Sequence, residues 1–225
     1  MSAGTLGLLL AWGTLVGLDL VSVPQMMIAR PLVAGTVAGL LVGDPETGMR
    51  LGVVFELFQF DILPVGAVRY PEYGPATVGA VAAAHWLGGA TAWGIGAGLG
   101  LLVGLCAGWS LHWLREANAR AVRRSAATLE SGDIRVLARL HGAGLARDLV
   151  RAAAVTASSL AAGWLLARAG VAGLPPRVLT LTAALAGGAA LAAGVSGLLR
   201  IVGRGSSFRW FAAGLAGGVV ALWIA

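Results

Sequence analysis

The chain has 225 residues, of which 58% are hydrophobic and 12% are charged, and its mean hydropathy is +0.84. Because a soluble domain carries about 25% charged residues, this composition excludes an ordinary soluble fold and predicts one integral membrane domain. The formal net charge of +6 comes from arginine alone, since no lysine occurs. The arginines adjoin apolar runs and are not interleaved with aromatic residues, which favours a membrane surface over nucleic acid as their partner.

The first part of the chain predicts a crossing helix followed by a broken region. Residues 5–23 are apolar and are followed by Pro24. Because they lack the basic start and the small-residue cleavage site of a secretory signal peptide, they are expected to remain in the mature protein. Residues 32–43 are apolar but too short to cross, which indicates a re-entrant hairpin or a half-helix. Asp44, followed by a proline, then predicts the start of a new helix.

Later apolar runs are each predicted to cross the bilayer, at 49–67, 75–90, 92–114, 152–171, 177–198 and 208–225. Between two of these runs, residues 115–151 alternate arginine with acidic residues and keep helical spacing on both sides of residues 131–133. Two amphipathic helices at the membrane interface are therefore expected. The predicted fold is all-α and polytopic, with three regions: membrane region 1–114, cytoplasmic segment 115–151 and membrane helices 152–225.

The distribution of arginine predicts the orientation. If residues 32–43 re-enter without crossing, Arg69, the arginines of 115–151 and those after residue 198 fall on one side. The other side receives only Arg30, Arg50, Arg168 and Arg177. Since arginine-rich loops stay in the cytoplasm, the first side is expected to be cytoplasmic.

Polar residues concentrate within residues 30–75, which are otherwise mostly apolar. They are Asp44, Glu46, Glu56, Gln59, Asp61, Arg69 and Glu72. Ionisable groups at membrane depth are costly and usually functional. Neighbouring glycines and prolines would interrupt a helix, which is tolerated only where the backbone is buried in protein or lines a wet cavity. The stretch therefore predicts a polar binding site, with the rest of the chain as its scaffold.

Three short patterns in this stretch carry a family resemblance. They are R-P-L-V-A at 30–34, G-D-x-x-T-G at 43–48 and an acidic residue at 56. In this order and spacing they resemble the membrane-embedded IIC subunit of the mannose/fructose/sorbose class of bacterial sugar phosphotransferase systems. The detailed similarity covers residues 30–85, and beyond these only hydropathy and the central charged segment match.

The resemblance implies a multi-pass protein of the bacterial inner membrane that works in an oligomer with a IID subunit. Such a protein binds a hexose or related sugar outside and releases it at the cytoplasmic face. There a IIB protein, phosphorylated through IIA, phosphorylates the sugar, so the chain itself is not expected to be an enzyme. The family's acidic-aromatic segment before R-P is absent at 24–29, and Pro64 replaces a polar residue. A family member that acts as a membrane receptor or regulator without transport therefore stays an alternative.

Glu56 and Gln59 are the first candidates for sugar binding. They are three residues apart and share one face of a helix, so they can exchange hydrogen bonds with sugar hydroxyls in an otherwise apolar pocket. The alternative is a contact between packed helices or an ion pair with an arginine. Asp61 joins this site only if Pro64 unwinds the segment.

Arg69 and Glu72 complete the predicted site, although they could instead neutralise one another at a helix end. Tyr70 and Tyr73 could stack on a sugar ring or belong to an interfacial aromatic belt. Asp44 is more simply explained as the cap of its helix, near whose positive end an acidic residue is favoured.

Other chemistry has little basis in the sequence. Cys106 is the only cysteine, so no disulfide and no thiolate metal site are expected. The three histidines lack a partner at ligand spacing, which argues against a metal; they are His85, His112 and His141. No G-x-S-x-G occurs, and no histidine lies near Ser158 and Ser159, so an intramembrane hydrolase is disfavoured. No cofactor is predicted.

Overall fold

The computed structural model describes residues 1–23, 25–60, 62, 68–202 and 209, and within these residues it is helical with no strand. The helices are α1 (Ala3–Asp19), α2 (Pro31–Val42), α3 (Pro45–Gln59), α4 (Tyr73–Leu87), α5 (Trp93–Arg124), α6 (Ala126–Glu130), α7 (Ile134–Arg168) and α8 (Pro176–Val202). Short 3-10 turns lie at Gly89–Thr91 and Val171–Gly173. The predicted all-α class is confirmed. The predicted last crossing at 208–225 lies outside the described residues, apart from Arg209.

Three of the described helices are long and apolar enough to cross a membrane: α5, α7 and the Pro176–Ser196 part of α8. Helices α1 and α2 are shorter apolar helices. Helix α4 forms the centre of the protein, since every residue from Tyr73 to Ala84 is buried. It packs against α1, α2, α3, α5 and α7, and its run of alanine and glycine lets these helices approach closely.

Helices α2 and α3 form a hairpin of two half-length helices. Gly43 ends α2 in the left-handed conformation (φ 79°), and the Asp44 carboxylate accepts the backbone N–H of Thr47 at 3.0 Å as the cap of α3. A Cβ on Gly35 would lie 2.6 Å from the Gly48 carbonyl oxygen, so the two backbones touch. With 12 and 15 residues, the helices are about 18 and 22 Å long. Both are shorter than the roughly 30 Å hydrocarbon core. The predicted half-helix at 32–43 is therefore confirmed, whereas the predicted crossing at 49–67 is wrong, because α3 ends at Gln59.

The expectation of two separate interfacial helices within 115–151 is corrected. Helix α5 continues from its apolar part through Arg124, and α7 starts at Ile134 and continues through Arg168. Alanine, leucine, arginine and glutamate all favour helix, so a helix does not stop where hydropathy falls. The predicted break at 131–133 is confirmed, because the Asp133 carboxylate caps α7 by accepting the N–H of Arg135 at 2.9 Å. Both region boundaries, after 114 and after 151, thus fall inside helices, and the three-region division stays a prediction from composition.

Small residues bring α7 against α1 and α4. A Cβ on Gly13 would overlap the Thr156 side chain, and one on Gly17 would lie 2.7 Å from the Ala152 Cβ. On the α4 side, a Cβ on Gly163 would lie 2.8 Å from the Ala83 Cβ. This close packing places the middle of α7, which includes Asp148 and Arg151, in the interior of the protein.

Candidate functional site

The C-terminal half of α3 presents Glu56 to the start of α2. The Arg30 guanidinium forms an ion pair with the Glu56 carboxylate, whose second oxygen accepts the backbone N–H of Leu32 at 3.3 Å. The side chain of Arg30 is 47% exposed and that of Glu56 is 18% exposed. The ion pair with an arginine, one alternative considered from the sequence, is therefore present, and it is partly exposed at the surface of the chain.

The segment before α2 determines where Arg30 lies. Asp19, the last residue of α1, is buried. Its carboxylate accepts the backbone N–H of Met26 at 2.8 Å and that of Ala29 at 3.1 Å. The segment is thereby folded back on the end of α1, and Arg30 follows directly at the start of α2.

Gln59 lies at the end of α3 and lines a narrow cavity. The opposite wall is the segment that leads into α4, with Tyr70, Glu72 and Tyr73. The Tyr73 ring stacks on Phe55 of α3 at a centroid distance of 5.5 Å, which fixes this wall against the hairpin. Glu56 is not among the residues that line the cavity. The two candidates on α3 therefore have different surroundings, although they are less than one helical turn apart.

Glu72 is completely buried and belongs to a cluster that the sequence did not predict. Both terminal nitrogens of the Arg151 guanidinium donate to its carboxylate, and the Arg151 Nε donates to the Asp148 carboxylate at 2.7 Å. The side chains of Arg151, Glu72 and Asp148 are 8%, 1% and 0% exposed. The alternative in which Arg69 and Glu72 neutralise one another is thus wrong, because Glu72 pairs with Arg151.

The remaining donors of Arg151 reach two further helices. Its terminal nitrogens lie 3.4 Å from the Ser110 hydroxyl of α5 and 3.4 Å from the Gly17 carbonyl of α1. An arginine side chain has five N–H donors. Those of Arg151 reach acceptors on α1, α5 and α7 and at Glu72, the residue before α4. Ser22, just after α1, donates to the second oxygen of Asp148. The cluster therefore joins four helices at one buried point.

Arg69 lies apart from this cluster, on the outer surface of the protein. Its guanidinium carbon lies 4.4 Å from the centroid of the Trp109 ring. The neighbouring Tyr70 is buried beneath the Arg115 guanidinium, 4.9 Å from its ring centroid. Asp61 and Pro64 lie outside the described residues, so the expectation for Asp61 stays a prediction.

The other polar residues have local partners. Glu46, in the first turn of α3, pairs with Arg50 four residues later, and His112 lies 3.2 Å from Glu116. Within the described part of the chain, no three residues among His, Cys, Asp and Glu are grouped so as to hold a metal.

Spacing could have indicated the buried cluster. Asp148 lies in register with Ala152, Thr156, Ser159 and Gly163, the buried face of α7. Small residues at three- and four-residue intervals mark a helix-packing face, so this row already assigned Asp148 to the interior. The charged composition of 115–151 led to a predicted helix separate from residues 152–171, so Asp148 was not placed on the buried face of α7.

The fold and the site define a polytopic helical membrane protein in which a half-length hairpin and a narrow cavity adjoin a buried ionic cluster. The family model described as "PTS system sorbose-specific iic component" matches residues 4–221. The chain belongs to this family and is therefore a membrane component of the sorbose/mannose class of sugar phosphotransferase systems. The resemblance read from residues 30–85 is confirmed.

Two curated relatives support this assignment. Both are described as "PTS system sorbose-specific EIIC component". The protein of Lacticaseibacillus casei is 35% identical over 65 residues, which cover 29% of this chain and 23% of the relative. The protein of Klebsiella pneumoniae is 43% identical over 49 residues, covering 22% of this chain and 18% of the relative. The matched stretches thus span about a fifth of the length of these relatives.

Solved structures share the fold over the whole chain. One is described as "Structure of membrane protein", with a TM-score of 0.72, and another as "CryoEM Structure of Mannose Transporter ManYZ and Microcin E492 (MceA) complex", with a TM-score of 0.61. Each is 18% identical and covers 100% of this chain and 92% of the other chain. At this identity the likeness shows the fold alone.

Proposed function

We propose that the chain is the translocating IIC-type subunit of a bacterial inner-membrane sugar transporter and that it binds a hexose or a related sugar. Phosphorylation of the sugar is assigned to a IIB partner supplied through IIA, and a IID-type subunit completes the membrane complex. Family membership over residues 4–221 supports the class. The observation that carries the proposal is this family match over almost the whole chain. The partly exposed pair of Glu56 and Arg30 on a half-length helix, and Gln59 at a narrow cavity, support the location of the site.

In this proposal Glu56 and Gln59 contact the sugar. Arg30 holds the Glu56 carboxylate in place while the site is empty, and the N–H of Leu32 holds its second oxygen. Because both side chains are partly exposed, sugar hydroxyls can replace part of these contacts without moving a fully buried charge. Gln59 supplies both a donor and an acceptor at the cavity wall, as a polyhydroxylated ligand requires.

The remaining predicted residues have different roles in the proposal. Glu72 forms the fixed wall of the cavity, and its carboxylate is held by Arg151. Asp61 stays a candidate sugar contact. Arg69 is on the outer surface and is assigned another ligand below.

The arginine-rich ends of α5 and α7 are the proposed docking surface for the soluble partner. These helices have 32 and 35 residues, so they are about 48 and 52 Å long. A bilayer with its headgroups is about 40–45 Å thick, and the excess extends beyond it on the side where the arginines cluster. We assign that side to the cytoplasm, where the phosphocarrier proteins act.

Sugar uptake into vesicles, with and without the partner subunits, tests the function. Glu56→Gln removes the charge but keeps the size of the side chain. A hydrogen bond to a charged group is worth about 1.5–3 kcal/mol, so we expect the affinity for sugar to fall about 10- to 100-fold. Glu46→Gln, at the exposed start of the same helix, is the matched control and should bind normally.

Two results would contradict this assignment in different ways. If Glu56→Gln binds sugar as tightly as the unchanged protein, the proposed site is wrong. If the complete complex binds sugar but shows no uptake, the receptor or regulator alternative replaces transport.

A further inference from the structure

One face of α5 shows where the bilayer ends. Leu102 and Leu105 are 65% and 51% exposed, and Trp109 and Trp113 follow on the same side at 52% and 64%. Intervals of three and four residues keep all four side chains in one stripe. Beyond Trp113 exposed charged residues appear, starting with Glu116 and Arg120. Tryptophan is enriched where hydrocarbon meets headgroups, so the stripe crosses from the lipid core to the interface near Trp109.

Arg69 is fixed at this level by the backbone beside it. Gly108 has no side chain, and a Cβ there would overlap the Tyr70 carbonyl, so the segment of residues 68–70 lies directly on α5. Arg115 braces the same segment by donating to the Val68 carbonyl at 3.2 Å and to the Tyr70 hydroxyl. The guanidinium of Arg69 then stacks on the outward-facing ring of Trp109. The cation is therefore held in a defined place at the edge of the bilayer.

The acidic residues near Arg69 have other partners. Glu72 is bound by Arg151, and Glu116 pairs with His112. Among the described residues, no carboxylate lies within salt-bridge distance of Arg69. An exposed guanidinium that stacks on an aromatic ring, with no carboxylate of the described residues bound to it, is suited to bidentate binding of a phosphate group. At this depth the phosphate available is that of a phospholipid.

We propose that Arg69, held against Trp109, binds the phosphate of an anionic phospholipid at the edge of the bilayer. Attraction of one arginine to an anionic surface corresponds to about 1 kcal/mol, or about fivefold. The site is independent of the sugar site, which lies on α3 and at the entry to α4.

The test uses the full chain in nanodiscs of phosphatidylcholine that contain a fraction of phosphatidylglycerol. Native mass spectrometry measures the ratio of the two lipids that the protein retains. We expect Arg69→Gln to lower the preference for phosphatidylglycerol about fivefold, and Trp109→Leu, which keeps an apolar surface but no ring, to lower it less. The affinity for sugar and the thermal unfolding midpoint of Arg69→Gln should be unchanged.

Arg124→Gln is the matched control. Arg124 is exposed at the end of α5, about 16 Å beyond Trp113 along the helix, whereas the headgroup layer is roughly 5–8 Å thick. An equal loss in Arg124→Gln would show a nonspecific charge effect and overturn the proposal. Displacement of phosphatidylglycerol by millimolar inorganic phosphate would overturn it in favour of a free-anion site. Unchanged lipid retention with weaker sugar binding in Arg69→Gln would return this residue to the sugar site.

Discussion

The buried cluster around Arg151 gives the sharpest test of the structure. Arg151→Met keeps most of the volume of the side chain and leaves the carboxylates of Glu72 and Asp148 facing one another without a cation. Both are almost completely shielded from solvent, with side chains 1% and 0% exposed. Removing one partner from a buried ion pair costs about 3–5 kcal/mol. We expect a loss of that size in the free energy of unfolding.

The measurement is detergent-induced unfolding of the purified protein, followed by tryptophan fluorescence. Arg147→Met, one turn earlier on α7, removes an exposed arginine whose Nη1 donates to Asn118 at 2.7 Å. Changes at such surface positions are usually within about 0.5 kcal/mol, so this control should unfold almost as the unchanged protein does. If the two variants lose the same amount, the charges are not buried as the structure places them.

A compensated variant separates lost charge pairing from lost shape. The triple change Arg151→Met, Glu72→Leu and Asp148→Val removes all three charges and fills approximately the same volume with apolar side chains. Replacing a complete buried ion cluster by well-packed apolar side chains of similar volume is often close to neutral in stability, so the triple variant should recover most of the stability lost by Arg151→Met. A triple variant as unstable as the single one would refute the electrostatic reasoning.

Two further changes test the hairpin and the segment before it. Gly35→Ala places a Cβ 2.6 Å from the Gly48 carbonyl oxygen, and because the backbone cannot easily move aside we expect a loss of about 1–3 kcal/mol in unfolding free energy. Gly98→Ala is the control, since no atom lies within 4 Å of its added Cβ, and it should be neutral or stabilising. An equal effect of the two changes would contradict the close packing of the hairpin. Asp19→Asn leaves only one oxygen for the two backbone N–H groups that the Asp19 carboxylate accepts, so we expect the free energy of unfolding to fall by about 1–3 kcal/mol. Because the segment before Arg30 is then held less firmly, sugar binding should also weaken. A variant with lower stability and normal sugar affinity would show that Asp19 does not act through Arg30.

The sequence predicted those parts of the fold that depend on local chemistry. The cap at Asp44 and the break at 131–133 depend on side chains that bond to the adjacent backbone, and both are confirmed. The half-length of α2 also followed from the length of its apolar run, whereas the same reasoning wrongly predicted a full crossing at 49–67, where α3 ends at Gln59. The ends of α5 and α7 were missed because hydropathy reports where lipid contacts a helix, whereas helix propagation depends on backbone hydrogen bonds and propensity.

The site was less predictable because its contacts are long-range in sequence. Glu56 and Gln59 share a helix face, yet one meets Arg30 and the other a cavity, and only tertiary packing separates these outcomes. The partner of Glu72 is 79 residues away on α7, and arginines closer in sequence were equally plausible partners. What selects Arg151 is the row of small residues that turns this face of α7 inward. The same row fixes Asp148. Any sequence that preserves the small residues but loses Arg151 should therefore also lose one or both carboxylates, because two buried carboxylates without a cation destabilise the fold.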